Sequence, residues 1–316
     1  MFTDEEMQIL CDEFQIGEFI SSCGKLGGYF NVNHKIETSR GLYVLKALNS
    51  SISEEHLQYT KGVLSVLQAK QLPVLVPMIS QSTGDNFFKL YGKRVQVTPF
   101  IEAHSFECRV KQVNSSGKML RKFHDALMTM KPGPSPNYSF YPEDNFYAKA
   151  VDQMKSMHIL SQSRISSIES WTEQLLNEWN RSREQLPTTI VHADWHFWNQ
   201  YYTEDDNVCL IMDFDSIQRG IRIHDVAYAL WVIHILLAEH SSSSLDEAFL
   251  QGYGTLTKEE QYMLPWALVR ISLFFLCNAA FSSQAEQKLR KQWYTQKPFI
   301  EWILSDGKKS ILQKTN

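Results

Sequence analysis

The chain has 316 residues, enough to bury a sizeable core in two lobes, and a formal net charge of −4 with no long basic stripe, which argues against a nucleic-acid-binding surface. Cys11, Cys23, Cys108, Cys209 and Cys277 are scattered and form no Cys-x-x-Cys pair, which points to free thiols in a reducing compartment and away from a zinc site. The N-terminus is acidic, without a basic region leading into an apolar run, and the most apolar windows, 226–238 and 263–280, are broken by His234, Pro265 and Arg270. Neither a signal peptide nor a membrane span is expected, and the protein should be soluble and cytoplasmic.

Residues 4–14 place Met7, Leu10, Cys11 and Phe14 at helical spacing opposite acidic residues, predicting a helix on the outside of a small sheet. Residues 17–23, 32–37 and 42–48 read as strands. The first two are joined by Gly24-Lys-Leu-Gly-Gly-Tyr-Phe-Asn, where glycines suit either plain turn chemistry or a backbone that must approach a phosphate. Lys46, inside the apolar run Tyr-Val-Leu-Lys-Ala, must snorkel or find an anion, and nucleotide phosphates are a natural partner. A helix is predicted over 57–70, followed by strands over 74–80, 86–90 and 93–100. The stretch from Val97 to Ala103 reads as a hinge. Pro99 has no N–H, so the backbone acceptor and donor left there for a ligand would be the Thr98 carbonyl and the Phe100 N–H, unless the stretch is a plain edge strand ended by proline.

From 113 the pattern turns helical, with Asn114 or Ser115 as the cap and Met119, Leu120, Phe123, His124 and Leu127 on one face. His124 reads as a satisfied core histidine. Residues 141–186 predict two or three helices without a chemical motif. Then comes Ile190-Val-His-Ala-Asp-Trp-His-Phe-Trp-Asn199, a strand stub and polar loop that leads into a hairpin of 200–202 and 208–212. A turn near Asp205 sets Asn199 opposite Ile211, with Asp213 one step beyond on the same face and Asp194 within reach. Two carboxylates and an amide around one point suit a hard divalent cation and a reacting hydroxyl. Asp225 then opens a helix as a first-turn carboxylate, and the remaining apolar residues build an all-helical lobe, with a serine-rich surface loop at 241–244 and a frayed tail after Asp306.

The pattern His192-x-Asp194-x-x-x-x-Asn199, followed by an apolar strand and Asp213-Phe-Asp215, resembles the aminoglycoside phosphotransferase and choline kinase superfamily of protein-kinase-like small-molecule kinases. That family usually has His-Gly-Asp, and Ala193 in place of the glycine asks less backbone freedom of the loop. The resemblance implies an α+β bilobal fold: an antiparallel-sheet nucleotide lobe over 1–98, a hinge at 98–103 and a larger, mainly helical catalytic and substrate lobe over 104–316. It implies ATP and Mg2+, with Asp194 as catalytic base, His192 as a brace, Asn199 and Asp213 as metal ligands, and Asp215 assisting the metal or ending the strand. Gly27, Gly28 and Asn31 match the family's Gly-Gly-x-x-Asn loop and, with Lys46, Thr98 and Phe100, make up the nucleotide contacts; Asp225 supports the catalytic loop.

A glutamate of the helix should pair with Lys46, but Thr60 stands at that position. Glu54 and Glu55 lie earlier, so the partner is Glu54, Glu55 or none. Trp195, His196 and Trp198 either meet the acceptor or pack the loop. The expected acceptor is a neutral or amine-bearing small molecule with a hydroxyl, with an aminoglycoside-like or other antibiotic favoured over choline, homoserine or methylthioribose. A spore-coat-like protein with little catalysis is the non-enzyme alternative. No nucleic-acid or membrane partner is expected, and the chain should be a monomer or homodimer.

Overall fold

The computed structural model describes residues 2–28, 30–240 and 242–314. Helix α1 (Asp4–Glu13) is capped by Thr3, whose hydroxyl accepts the Glu6 N–H while the Glu6 carboxylate accepts the Thr3 N–H. Its face of Met7, Leu10 and Cys11 packs on Ile36, Leu45, Val95 and Val97 of an antiparallel sheet, as the periodicity predicts. The sheet contains β1 (Phe19–Leu26), β2 (Val32–Thr38), β3 (Gly41–Ala47), β4 (Phe88–Leu90) and β5 (Lys93–Pro99), in the order β1-β2-β3-β5-β4. Residues 74–80 do not form the expected strand. Pro73 and Pro77 remove ladder donors, and the segment instead runs between the two halves of the molecule: Leu75 N–H donates to the Ile211 carbonyl at 2.9 Å and Met78 N–H to that of Val97 at 2.8 Å.

Helix α2 (Glu54–Ala69) begins earlier than its apolar pattern suggests, because Ser53 caps it by accepting the His56 N–H. Helix α3 (Val110–Leu127) likewise starts ahead of the expected caps; the Gln112 side chain takes up the N–H groups of Glu107 and Arg109, while Asn114 and Ser115 face neighbouring elements. Next come α4 (Asn145–Met157), α5 (Gln162–Ser182), β6 (Thr188–Val191), the hairpin of β7 (Gln200–Tyr202) and β8 (Val208–Ile211), and β9 (Gln218–Ile221), which pairs with β6. Helices α6 (Ile223–Leu236), α7 (Ser242–Tyr253), α8 (Lys258–Asn278), α9 (Ala285–Trp302) and α10 (Lys308–Lys314) complete the helical half.

The expected serine loop is therefore the start of α7, Ser241 itself lying outside the described residues. The tail does not fray either: Ile311 is buried and Lys314 Nζ lies 3.2 Å from the Asp246 carboxylate. The 258–281 stretch is long and apolar enough to cross a bilayer despite Pro265 and Arg270, and 78 % of its apolar window is buried inside the fold.

Helices α3 and α7 cross at two glycines. A Cβ on Gly117 would run into the Phe249 carbonyl, and one on Gly252 into the Asn114 carbonyl, both backbone atoms that cannot rotate away. Gly252→Ala is therefore expected to lower stability by about 1–3 kcal/mol through overpacking, in spite of the ~1 kcal/mol that alanine gains in helix propensity. Urea denaturation of the variant measures the sign, and a stabilised variant would show that the two backbones do not touch.

Candidate active site

The site is built on the loop between β6 and β7, and one buried carboxylate sets its shape. Asp225, in the first turn of α6, is fully buried and accepts the His192 N–H at 2.7 Å, the Ala193 N–H at 2.9 Å and His124 Nε2 at 3.0 Å. Burial alone would raise the Asp225 carboxyl, but these donors hold it below the usual carboxylate range. Burial pushes His124 down, which suits a neutral ring donating from Nε2 and accepting the Tyr253 hydroxyl at Nδ1, 2.9 Å away. Both N–H groups of the 192–193 step can reach one carboxylate only because Ala193 is left-handed, at φ 62. The loop thus demands the freedom a glycine usually supplies, contrary to the sequence reading, and an alanine there costs on the order of 1–2 kcal/mol. The His192 ring crosses to the Met212 carbonyl, 3.1 Å from Nε2, and meets Trp195 edge-on.

Asp194 follows, nearly enclosed. Its Oδ1 accepts the Tyr228 hydroxyl at 2.8 Å, and Asn199 Nδ2 donates to its backbone carbonyl at 3.1 Å and to Oδ2 at 3.3 Å. Burial raises its carboxyl, only partly opposed by His196 and Tyr228, the direction that makes a carboxylate a better proton acceptor. Tyr228 was not singled out in the sequence; its place one turn after Asp225 on α6 was the available signal. The hairpin register is also shifted. Gln200 rather than Asn199 pairs with Ile211, because a bulge near Cys209 takes up a residue, and Met212 N–H donates to the Asn199 carbonyl. Asp213, at φ 63, is a second left-handed residue, and this turn directs its carboxylate to the sheet half of the molecule.

There Lys46 Nζ lies 3.1 Å from Asp213 Oδ1 and 2.8 Å from Asp215 Oδ2. Burial would lower the ammonium, but the two carboxylates outweigh it and hold Lys46 well above its ordinary value. The Asp213 side chain keeps 43 % of its surface open to the cleft, so the Lys46 charge sets its direction, below the usual range. Asp215 goes the other way, raised by burial that Lys46 only partly offsets. Glu54 is taken by Lys89, and the Thr60 hydroxyl folds back on the His56 carbonyl, so the partners of Lys46 are the two aspartates and neither is on α2. What α2 does send to the site is His56, unnoticed in the sequence. Its buried ring lies 2.9 Å from the Asp215 carbonyl at Nε2 and 3.1 Å from that of Pro134 at Nδ1.

Asn31 closes the glycine-rich hairpin onto the same residue. Its Nδ2 donates to Asp215 Oδ2 at 2.6 Å, and its Oδ1 accepts the Asn49 N–H at 2.9 Å. Asn33 Nδ2 donates to the Gly27 carbonyl, and a Cβ on Gly28 would press against that amide. At the hinge the expected pair of backbone groups faces the wrong way. Phe100 N–H donates to the Leu42 carbonyl at 2.9 Å, and strand alternation turns the Thr98 carbonyl to β3 as well. Strand alternation turns the Pro99 carbonyl away from β3, and Pro99 and Ile101 line the cleft with Leu75 and Pro77.

Asn31, Lys46, Asp194, Asn199, Asp213, Asp215 and Tyr228 line one cleft of about 1200 Å³, while His56, His124, His192 and Asp225 support it from behind. Of the loop aromatics, His196 and Trp198 reach it. Trp195 does not: it is buried against Phe123, with its indole N–H on Ser116 Oγ. Among the described residues no three His, Cys, Asp or Glu side chains form a closed metal cage. The donors are Asp213, Asp215 and the side-chain oxygen of Asn199, whose amide nitrogen is committed to Asp194. Such an incomplete oxygen set fits Mg2+ sharing its remaining ligands with phosphates and water.

Residues 26–266 match the family model for the phosphotransferase enzyme family (APH). A homoserine kinase of Rhodopseudomonas palustris (strain BisB18) is 26 % identical over 292 residues, which cover 87 % of this chain and 84 % of that protein. A microcompartment-associated aminopropanol kinase superimposes with a TM-score of 0.73 at 14 % identity, over 98 % of this chain and 100 % of that one. Amicoumacin kinase hAmiN, solved with AMP-PNP, Ca2+ and Ami, gives a TM-score of 0.69 at 15 % identity, over 98 % and 94 % of the two chains. The two structural likenesses are of fold, a bilobal protein-kinase-like arrangement.

Asp225→Asn should lower stability by about 3 kcal/mol at pH 7, since it removes a buried charge that three donors solvate and sets its amide NH2 against at least one of them. The folded Asp225 carboxyl lies below the usual range, so its contribution is complete above the unfolded value near ~3.9 and is lost as pH falls through the folded value. Guanidinium denaturation at pH 7 and pH 3 should show the gap between wild type and variant narrowing in acid, and a gap independent of pH would exclude this role.

Proposed function

We propose, from the premise that the chain belongs to the phosphotransferase enzyme family, that it transfers the γ-phosphoryl group of ATP to a hydroxyl of a small amino-bearing molecule, with Mg2+. The observation that carries this reading is the half-buried Asp194 carboxylate lining the cleft, held by Tyr228 and Asn199, with the Lys46, Asp213 and Asp215 cluster in the same cleft. Asp194 orients the acceptor hydroxyl and takes its proton as the oxygen bonds to the γ-phosphorus and the bond to the ADP oxygen breaks. Lys46 pairs with the nucleotide phosphates, the hairpin of Gly27 and Gly28 covers them, and the Pro99 carbonyl and Ile101 N–H receive the adenine. Asn199 and Asp213, with Asp215, would hold the Mg2+, which offsets phosphate charge when bound.

For the acceptor, the balance moves from an aminoglycoside to a small hydroxy amino acid or amino alcohol. Asp194, Asp213 and Asp215 are the acidic side chains among the described residues that line the cleft, and the lining beside them includes the aromatics Tyr138, Phe140, Trp198, Tyr228 and Trp231 and the basic Lys288. A polycation would need several carboxylates there. The homoserine kinase relative supports the same direction. Trp198, 43 % exposed at the cleft, favours a second reading, a ring-bearing antibiotic with few charges.

With a panel of homoserine, amino alcohols and hydroxylated antibiotics, ATP consumption should depend on an acceptor. Asp194→Asn should lower kcat by about 10²–10⁴-fold while keeping the rise in melting temperature caused by ATP and Mg2+. No turnover on any acceptor, together with no nucleotide stabilisation, would leave the spore-coat-like alternative.

A further inference from the structure

Helix α2 brings no carboxylate to Lys46, but β5 brings an amide. Lys46 on β3 stands directly opposite Gln96 on β5. Residues paired in this way turn their side chains to the same face of the sheet, with Cβ atoms roughly 5 Å apart, and both of these line the cleft. Val44 and Thr98 form the next pair on that face, about 7 Å nearer the hinge. Gln96 therefore lies level with the lysine, one pair deeper than the residues beside the hinge.

Gln96 is 6 % exposed, and among the described residues its side-chain amide makes no hydrogen bond. The amides of Asn31, Asn49 and Asn199 in the same cleft are all bonded. Neither polar atom of Gln96 is sealed inside the protein, so both reach the cleft. A buried amide without partners is costly, and an aliphatic side chain such as those of its neighbours Val95 and Val97 would avoid that cost.

The lysine opposite supplies a reason for the amide. Lys46 Nζ rests on Asp213 and Asp215. On the kinase reading the aspartates turn to Mg2+ and the lysine to the phosphates, and an ammonium with three N–H groups then needs an acceptor on the protein side to fix its direction. Helix α2 does not provide one: Glu54 pairs with Lys89, Glu55 is exposed, and the Thr60 hydroxyl donates to the His56 carbonyl. We infer that Gln96 is the positioning residue of Lys46, its Oε1 accepting one ammonium N–H when nucleotide and Mg2+ are bound so that the others are directed to the phosphates. A neutral acceptor orients the ammonium without cancelling the charge that the phosphates use. The inference rests on the kinase reading and assigns a further residue of that same site.

Titration calorimetry of the full chain with AMP-PNP and Mg2+ tests it. Gln96→Met, similar in size and without the amide, should weaken binding ~10-fold or more, the scale of one hydrogen bond to a charged group. Gln96→Glu keeps an oxygen at that place and should stay near the wild type. The comparison that separates orientation from packing is a double-mutant cycle: in a Lys46→Met chain, Gln96→Met should cost nothing further, because the group it orients is gone. Melting temperatures without nucleotide show that each variant is folded. Equal affinities of the wild type and Gln96→Met would overturn the inference, as would a loss that persists undiminished in the Lys46→Met chain. Either result leaves the kinase reading standing as long as the wild type binds AMP-PNP, whereas a wild type that binds none removes that reading and this inference with it.

Discussion

The geometry of the loop between β6 and β7 depends on a buried anion that makes no ion pair with a lysine or arginine among the described residues. Among the described residues Asp225 accepts three N–H groups, two from the loop backbone and one from a histidine whose other nitrogen is occupied by Tyr253. Leaving any one of these donors out would strand part of a charge in a dry interior, a cost that side-chain relaxation cannot recover. The carboxylate therefore fixes α3, α6 and α7 relative to the loop. It also forces the left-handed residue at 193 that places Asp194 beneath the cleft. The strain of an alanine in that conformation is the local cost of a globally determined position.

A second set of contacts converges on Asp215 from the sheet side. Lys46 comes from β3, Asn31 from the hairpin and His56 from α2, and two of the three meet the Asp215 carboxylate while the third meets its carbonyl. The helix-borne glutamate expected to steady Lys46 is replaced by a division of labour. The aspartates hold the lysine, and the histidine holds the helix to the aspartates' own backbone. On the proposed reading, a metal bound at Asp213 and Asp215 and phosphates bound at Lys46 would exchange partners so that each charge keeps an opposite neighbour. Such an exchange avoids the desolvation penalty of an unpaired ion at any stage.

The chemistry-bearing residue types were legible in the sequence because each stands out against its local background: a lysine in an apolar strand, an amide and aspartates flanking a hairpin. Helix existence was legible for the same reason, since periodicity is local. Less legible was whatever depends on residues far apart in the chain. Asn31 meets Asp215 across 184 positions, and no pattern of a few residues announces it. The His56 contact depends on how α2 is tilted, the bulge near Cys209 on how the hairpin packs, and the burial of Trp195 on Ser116 and Phe123 of a distant helix. The α7 start was misread because serines that suit a loop also suit a helix N-terminus, and tertiary contacts decide between the two.

The hinge is a different case, because there the position of the proline itself sets which backbone groups face β3. A proline within a strand is tolerated where its missing N–H would not enter the ladder. Pro99 must therefore turn its backbone away from β3, which obliges Thr98 and Phe100, its neighbours in the alternation, to turn theirs to β3. The bond from Phe100 N–H to Leu42 is that obligation made visible. The groups on the proline's own side are its carbonyl and the N–H two residues on, at Ile101. Proline thus leaves its carbonyl acceptor on the face a planar heterocycle would need, while its missing N–H denies a competing strand one ladder donor.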